Sequence, residues 1–195
     1  WLHGLGATCD DFMPVADMIG RDDITFIFPQ APNRSVTINA GMTMPAWYDI
    51  YGIGPDKPED AAGVKQSSTQ ILELVNDLKQ TYPNTNISFK LIGFSQGGAI
   101  SLYIAATHPE IFSDILGLST YLPLSKDLSN IKNSQNNLPN ISLMHGTMDP
   151  VVPYNYAQLS QEALKNMGFN PSLKAYNMGH EVCPEQIQDI IKWLK

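Results

Sequence analysis

The sequence predicts an α/β fold, a mainly parallel sheet with helices on both faces. Short apolar or β-branched runs recur along the chain, and segments with helical spacing lie between several of them. The 195 residues are 43% hydrophobic and show no sustained compositional break, so a single domain over 1–195 with a substantial core is expected.

Leu2-His3-Gly4 reads as the tail of a first strand that is truncated at its start. ITFIF at 24–28 predicts a strand. The segment 32–60, mixed in Pro, Gly, Met, Trp and Tyr, breaks the alternation and predicts a binding loop. A helix is predicted over 67–80, where Ile71, Leu72, Val75 and Leu78 share one face. ISFKLI at 87–92 is the next strand. Residues 97–107 predict a helix that is apolar nearly all round and therefore deeply buried, with Pro109 marking its end. Strands are predicted at 114–118, 141–144 and 172–176, and helices at 154–167 and 185–194. The polar, Asn-rich stretch 124–140 predicts a solvated loop.

A net charge of -7 and only 12 scattered Lys and Arg residues oppose a nucleic-acid partner, because a phosphate backbone is held by clustered cations. No apolar run approaches the roughly 20 residues of a transmembrane helix, and nothing resembles a signal peptide. A soluble, cytoplasmic protein is expected, with at most peripheral membrane contact. Cys9 and Cys183 lack metal-site spacing and read as free thiols on loops near the cleft. The N-x-S triplets at Asn33, Asn86 and Asn140 read as chance in a chain rich in Asn and Ser. Gly4-Leu5-Gly6 has Cys9 where a dinucleotide-binding glycine belongs, and neither a P-loop nor a zinc-type histidine pair occurs. No cofactor and no metal are expected.

The chemistry centres on Gly93-Phe94-Ser95-Gln96-Gly97, a G-x-S-x-G pattern between a predicted strand and a predicted helix. Such a turn lifts the serine hydroxyl clear of the sheet, and the helix start favours negative charge beside it. Serine needs a base, and the base needs a carboxylate to orient it. Of four histidines, His180 follows the last strand and fits the order Ser, Asp, His; His145, at the end of a strand, is read as supporting the acid loop. Asp149 lies just past a strand end with Pro150 restricting its backbone, while Asp114 and Asp127 are rivals in the right order. The backbone N–H groups of Leu5 and Gln96 are the expected oxyanion donors.

LHGLG at 2–6, FPQAPNRSVTINAGMTMPAWYDI at 28–50, GFSQGGA at 93–99, HGTMDPVVP at 145–153 and GHEVCPE at 179–185 together resemble the phospholipase/carboxylesterase family of small α/β-hydrolases. That family includes bacterial carboxylesterases and acyl-protein thioesterases. The resemblance implies an α/β-hydrolase fold and hydrolysis of carboxylic esters or thioesters by Ser95, Asp149 and His180. It also implies an acyl chain lying along Leu5, Met44, Trp47, Leu122 and Val152. Ala7, Thr8 and Cys9 depart from the acidic residue, Thr and Gly that members often carry there. The expected substrate is a small ester or a lipid-like acyl compound. The alternatives are a lysophospholipase or an acyl-protein thioesterase acting on acylated proteins, and a catalytically silent ligand-binding module. A homodimer is the oligomeric state left open.

Overall fold

The computed structural model describes residues 1–52, 54, 57–83, 87–133 and 137–195. Asn86 lies outside the described residues, as do parts of 32–60 and 124–140. Four parallel strands, β3 (Lys90–Phe94), β4 (Asp114–Leu118), β5 (Asn140–Gly146) and β6 (Ser172–Tyr176), form a sheet in the order β3-β4-β5-β6. Ahead of them, β1 (Asn33–Val36) and β2 (Met42–Pro45) pair antiparallel as a separate two-stranded sheet. The register sets Phe94 beside Leu118 and Leu118 beside Met144, so β3 and β4 end level while β5 runs on to Gly146, beside Tyr176 at the end of β6.

Alternate side chains of each strand face opposite sides of the sheet. Leu91, Ile115, Ile141 and Leu143 join one cluster with residues of α2 (Ala61–Thr81), α3 (Gln96–Thr107) and α4 (Tyr154–Asn166). Ile92, Leu116, Leu118 and Met144 join another with α1 (Met13–Ile19) and α5 (Pro184–Trp193). Helices therefore cover both faces, as the sequence predicts. Helix α2 starts at Asp60, whose carboxylate accepts the Gly63 N–H at 2.9 Å, and buries Val64, Ile71 and Val75. In α3 every residue from Gln96 to Ala106 is buried. Burying Ile100, Leu102, Tyr103 and Ile104 at about 2 kcal/mol each outweighs the roughly 1 kcal/mol that each of Gly97 and Gly98 costs in a helix. Among the described residues, no helix is long and apolar enough to cross a membrane.

The structure departs from the sequence expectation at several segments. Residues 24–28 form no ladder: a strand needs a neighbour, and the adjoining chain offers one hydrogen bond, from the Trp1 amino group to Ile27 O at 2.6 Å. Leu2 itself makes a single parallel bridge to Gly93. Helix α1, with Pro14 in its first turn and Gly20 left-handed (φ 60°) at its end, has no counterpart in the expected elements. The stretch 124–140 is not merely solvated, because Leu124 and Leu128 are buried and Leu138 packs on the core.

Candidate active site

Strand β3 ends and α3 begins around Ser95, which takes φ 52°, ψ -117°. A non-glycine residue there costs on the order of 1–3 kcal/mol and persists only where its surroundings over-determine it. Three hydrogen bonds do so. Ser95 N–H donates to Leu118 O at 2.8 Å, and Ser95 O accepts from Ala99 N–H at 3.0 Å and from Thr120 Oγ1 at 2.7 Å. The glycines of GFSQGG answer to close approach: a Cβ on Gly93 would collide with the Gly97 carbonyl, and one on Gly97 with the carbonyls of Leu2 and His3. Backbone cannot move aside as a flexible side chain can. Gly97→Ala is expected to cost about 3 kcal/mol, lowering the Tm by roughly 6–12 °C in a chain of this size. A thermal melt within about a degree of the parent would show that the two segments are not in contact.

His180 follows β6 on the loop before α5, and its Nε2 lies 2.9 Å from Ser95 Oγ. Its Nδ1 lies 2.7 Å from Asp149 Oδ2. The Asp149 side chain is fully buried, and its Oδ1 accepts the N–H groups of Val151 and Val152, both at 2.8 Å. The Phe94 ring, centred 4.9 Å from the His180 ring, backs the imidazole. The two loops that carry acid and base are clasped directly: Thr147 N–H donates to Tyr176 O at 2.8 Å and Met148 N–H to Met178 O at 3.2 Å.

The other candidates lie elsewhere or act differently. Asp114 pairs with Lys90 at 3.0 Å at the opposite end of the sheet, and Asp127 is solvent-exposed. His108 caps the far end of α3. His145 is buried, with Nε2 donating to Val152 O at 2.7 Å and standing 3.4 Å from Asp149 Oδ2. Burial lowers its pKa, a shift partly offset by the Val152 carbonyl and the Asp149 charge. A neutral His145 therefore braces the acid turn. His3, also buried, holds the turn at Gly4.

A cavity of about 740 Å³ opens beside Ser95 and His180. Leu5, Gln96, Leu122 and Val152 line it; Met44 and Trp47 do not. Trp47 is 1% exposed and its indole N–H donates to His3 O at 2.8 Å, so it holds up the loop behind the cavity instead of facing the opening. The wall includes residues that the sequence reading lacks, chiefly Ile38, Ile50, Tyr121, Val151 and Leu159. Ile38 N–H donates to Ile50 O at 2.8 Å, and both carboxylate oxygens of Asp49 hold Thr37, at 2.7 Å from its N–H and 2.6 Å from its hydroxyl. Tyr48 and Tyr121 pair through their hydroxyls at 2.9 Å, and burial pushes Tyr121 up to about 12. Glu59, in the same wall, accepts the Leu124 N–H at 3.0 Å, and burial raises its pKa.

A buried carboxylate, an imidazole and a hydroxyl in line, on a strained turn at a helix start, form an arrangement suited to nucleophilic attack on a carbonyl. Comparison with known proteins agrees. The chain is 34% identical to acyl-protein thioesterase 1 of Mycosarcoma maydis, over all of this chain and 88% of that one. It is 35% identical to acyl-protein thioesterase 1 of Emericella nidulans, over 98% of this chain and 86% of that protein. The crystal structure of Zea mays acyl-protein thioesterase 2 superposes with a TM-score of 0.88 at 32% identity, covering 100% of this chain and 90% of that one. The phospholipase/carboxylesterase family model matches residues 1–195, and the chain belongs to that family of serine hydrolases with the α/β-hydrolase fold.

Proposed function

We propose that this hydrolase cleaves thioesters and esters of long acyl chains, including those on acylated proteins, through an acyl-enzyme at Ser95. The observation that carries the reading is the cavity beside the serine, about 740 Å³ and walled by Ile38, Ile50, Leu122, Val152 and Leu159. That volume falls in the range typical of pockets which bury a whole small ligand. A short ester would leave most of it unused. The likeness to acyl-protein thioesterases supports the same reading.

In the proposed cycle His180 Nε2 takes the proton from Ser95 Oγ as the oxygen bonds to the carbonyl carbon. Asp149, already bonded to Nδ1, stabilises the imidazolium that forms. The oxyanion is held by the backbone N–H groups of Leu5 and Gln96, with the positive end of α3 behind the second. His180 returns its proton to the departing thiol or alcohol, and a water activated by the same imidazole releases the acid.

The test is a rate series over p-nitrophenyl esters from acetate to palmitate, followed by palmitoyl-cysteine thioesters. Each methylene buried in the cavity is worth about 0.8 kcal/mol, close to a fourfold gain in kcat/KM, until the cavity is full. A profile that peaks at acetate or butyrate and then falls would favour a small-ester carboxylesterase.

A further inference from the structure

Each donor of the proposed oxyanion site belongs to a peptide unit whose orientation must be fixed before the reaction. The Leu5 N–H shares its peptide plane with the Gly4 carbonyl, and in a trans peptide those groups point in opposite directions. Holding one aims the other. The Gly4 carbonyl lies 2.8 Å from His3 Nδ1, while His3 Nε2 faces the Ala31 N–H at 3.0 Å and the Gln30 amide nitrogen at 3.2 Å. A backbone N–H only donates, so Nε2 is the acceptor and the ring proton stands on Nδ1, directed at Gly4. His3 is 1% exposed, and its burial favours this neutral form.

His3 is in turn fastened to the turn that carries the serine. Its carbonyl accepts the Trp47 indole N–H at 2.8 Å. The Trp47 backbone N–H donates to Gln96 Oε1 at 2.8 Å, and Gln96 Nε2 donates to Tyr48 O at 2.6 Å. The Ser67 hydroxyl closes on the Trp47 carbonyl. Gly6 N–H donates to Pro45 O at 2.8 Å, tying the next turn of the Leu5 loop to the same segment. Both polar ends of the Gln96 side chain are thus spent on backbone, in a residue only 2% exposed. Its own N–H is the second donor.

We propose that the Gln96 carboxamide, Trp47 and His3 form a positioning relay that sets the spacing and aim of the two oxyanion donors, an inference that rests on the oxyanion reading given under Proposed function. The side chains of the relay hold backbone and leave substrate contact to Leu5 and Gln96 N–H. A carboxamide is needed because the clamp requires an acceptor and a donor at adjacent backbone positions. An apolar residue of the same shape offers neither, and strands the Trp47 N–H and the Tyr48 carbonyl in the core.

The experiment uses Gln96→Met and Trp47→Phe, singly and together. The readouts are kcat and KM on p-nitrophenyl butyrate, Ki for an alkyl trifluoromethyl ketone, and Kd for the alcohol of the same chain length. The ketone forms a hemiketal oxyanion when Ser95 Oγ adds to its carbonyl carbon and the hydroxyl proton passes to His180; the alcohol develops no such charge. Each single variant is expected to lose about 10- to 100-fold in kcat, with the ketone's Ki rising by the same factor. KM and alcohol binding stay within about twofold, because uniform binding is untouched. The double variant falls no further than the worse single one, as members of one unit are non-additive. An unchanged ketone Ki, or a kcat loss matched by loss of alcohol binding and of near-UV circular dichroism, overturns the relay. Should Gln96→Met fail to fold, Trp47→Phe, which deletes one indole N–H, decides by the same criteria. Inactive Ser95→Ala beside relay variants of parental kcat overturns the relay alone; active Ser95→Ala overturns the reading beneath it.

Discussion

Ser95→Ala is expected to lower kcat on p-nitrophenyl butyrate by a factor on the order of 10⁶, leaving only what the oxyanion donors and substrate binding contribute without a nucleophile. The fold should be unaffected. Alanine keeps the Cβ that already tolerates φ 52° at this position, and the three bonds that hold the turn run through backbone atoms of residue 95. The Ser95 hydroxyl bonds to His180 Nε2 at 2.9 Å, so its removal leaves an imidazole nitrogen that is open to water. A Tm within about 2 °C of the parent, together with loss of labelling by a fluorophosphonate probe, is the expected pair of results. Undiminished turnover with an intact fold would refute the assignment of the nucleophile.

The fold is legible where the residues themselves carry the signal. Strand β4 falls on the residues 114–118 that its apolar content selects, because a central parallel strand is buried whatever the surrounding loops do, and β6, at the sheet edge and mostly exposed, still falls on 172–176. Helix α3 is legible for the same reason. Residues 24–28 carry strand composition but lack a paired neighbour, and pairing is a property of the sheet that no single run displays. Helix α1 is short, and its boundaries rest on a proline and a left-handed glycine instead of a long apolar face.

The site divides the same way. Ser95 stands out through its turn, and Asp149 and His180 through their place after successive strand ends, so topology brings the three together once the strands are ordered. The cavity wall offers no such pattern. Ile38, Ile50, Val151 and Leu159 come from separate segments, with no shared spacing, and a one-dimensional reading finds nothing to join them. Trp47 illustrates the opposite error: an aromatic residue in a loop suggests contact with ligand, yet here its N–H groups and its carbonyl are occupied in holding backbone together. Large aromatic residues in functional loops bury area wherever they find it, and only coordinates distinguish the lining of a cavity from its support.

Asp149→Asn is expected to reduce kcat by about 10⁴-fold while leaving the protein folded, through a change of tautomer more than a change of shape. In the parent, Oδ1 accepts two backbone N–H groups and Oδ2 accepts His180 Nδ1–H. Asparagine has one acceptor oxygen, and two N–H donors at 2.8 Å from Val151 and Val152 compel that oxygen to take the Oδ1 place. Its NH₂ group then faces Nδ1 and donates to it. The ring proton moves to Nε2, where it points at Ser95 Oγ and blocks the acceptance of the serine proton. The neighbouring His145 loses the carboxylate oxygen that stands 3.4 Å from its Nε2–H, but its bond to Val152 O at 2.7 Å remains and holds the turn. The expected signature is therefore a large loss of kcat with little change in KM or Tm, and partial recovery at high pH, where hydroxide removes the serine proton without the imidazole. A variant that retains more than about a tenth of parental kcat at neutral pH would show that Asp149 is not the group that sets the tautomer of His180.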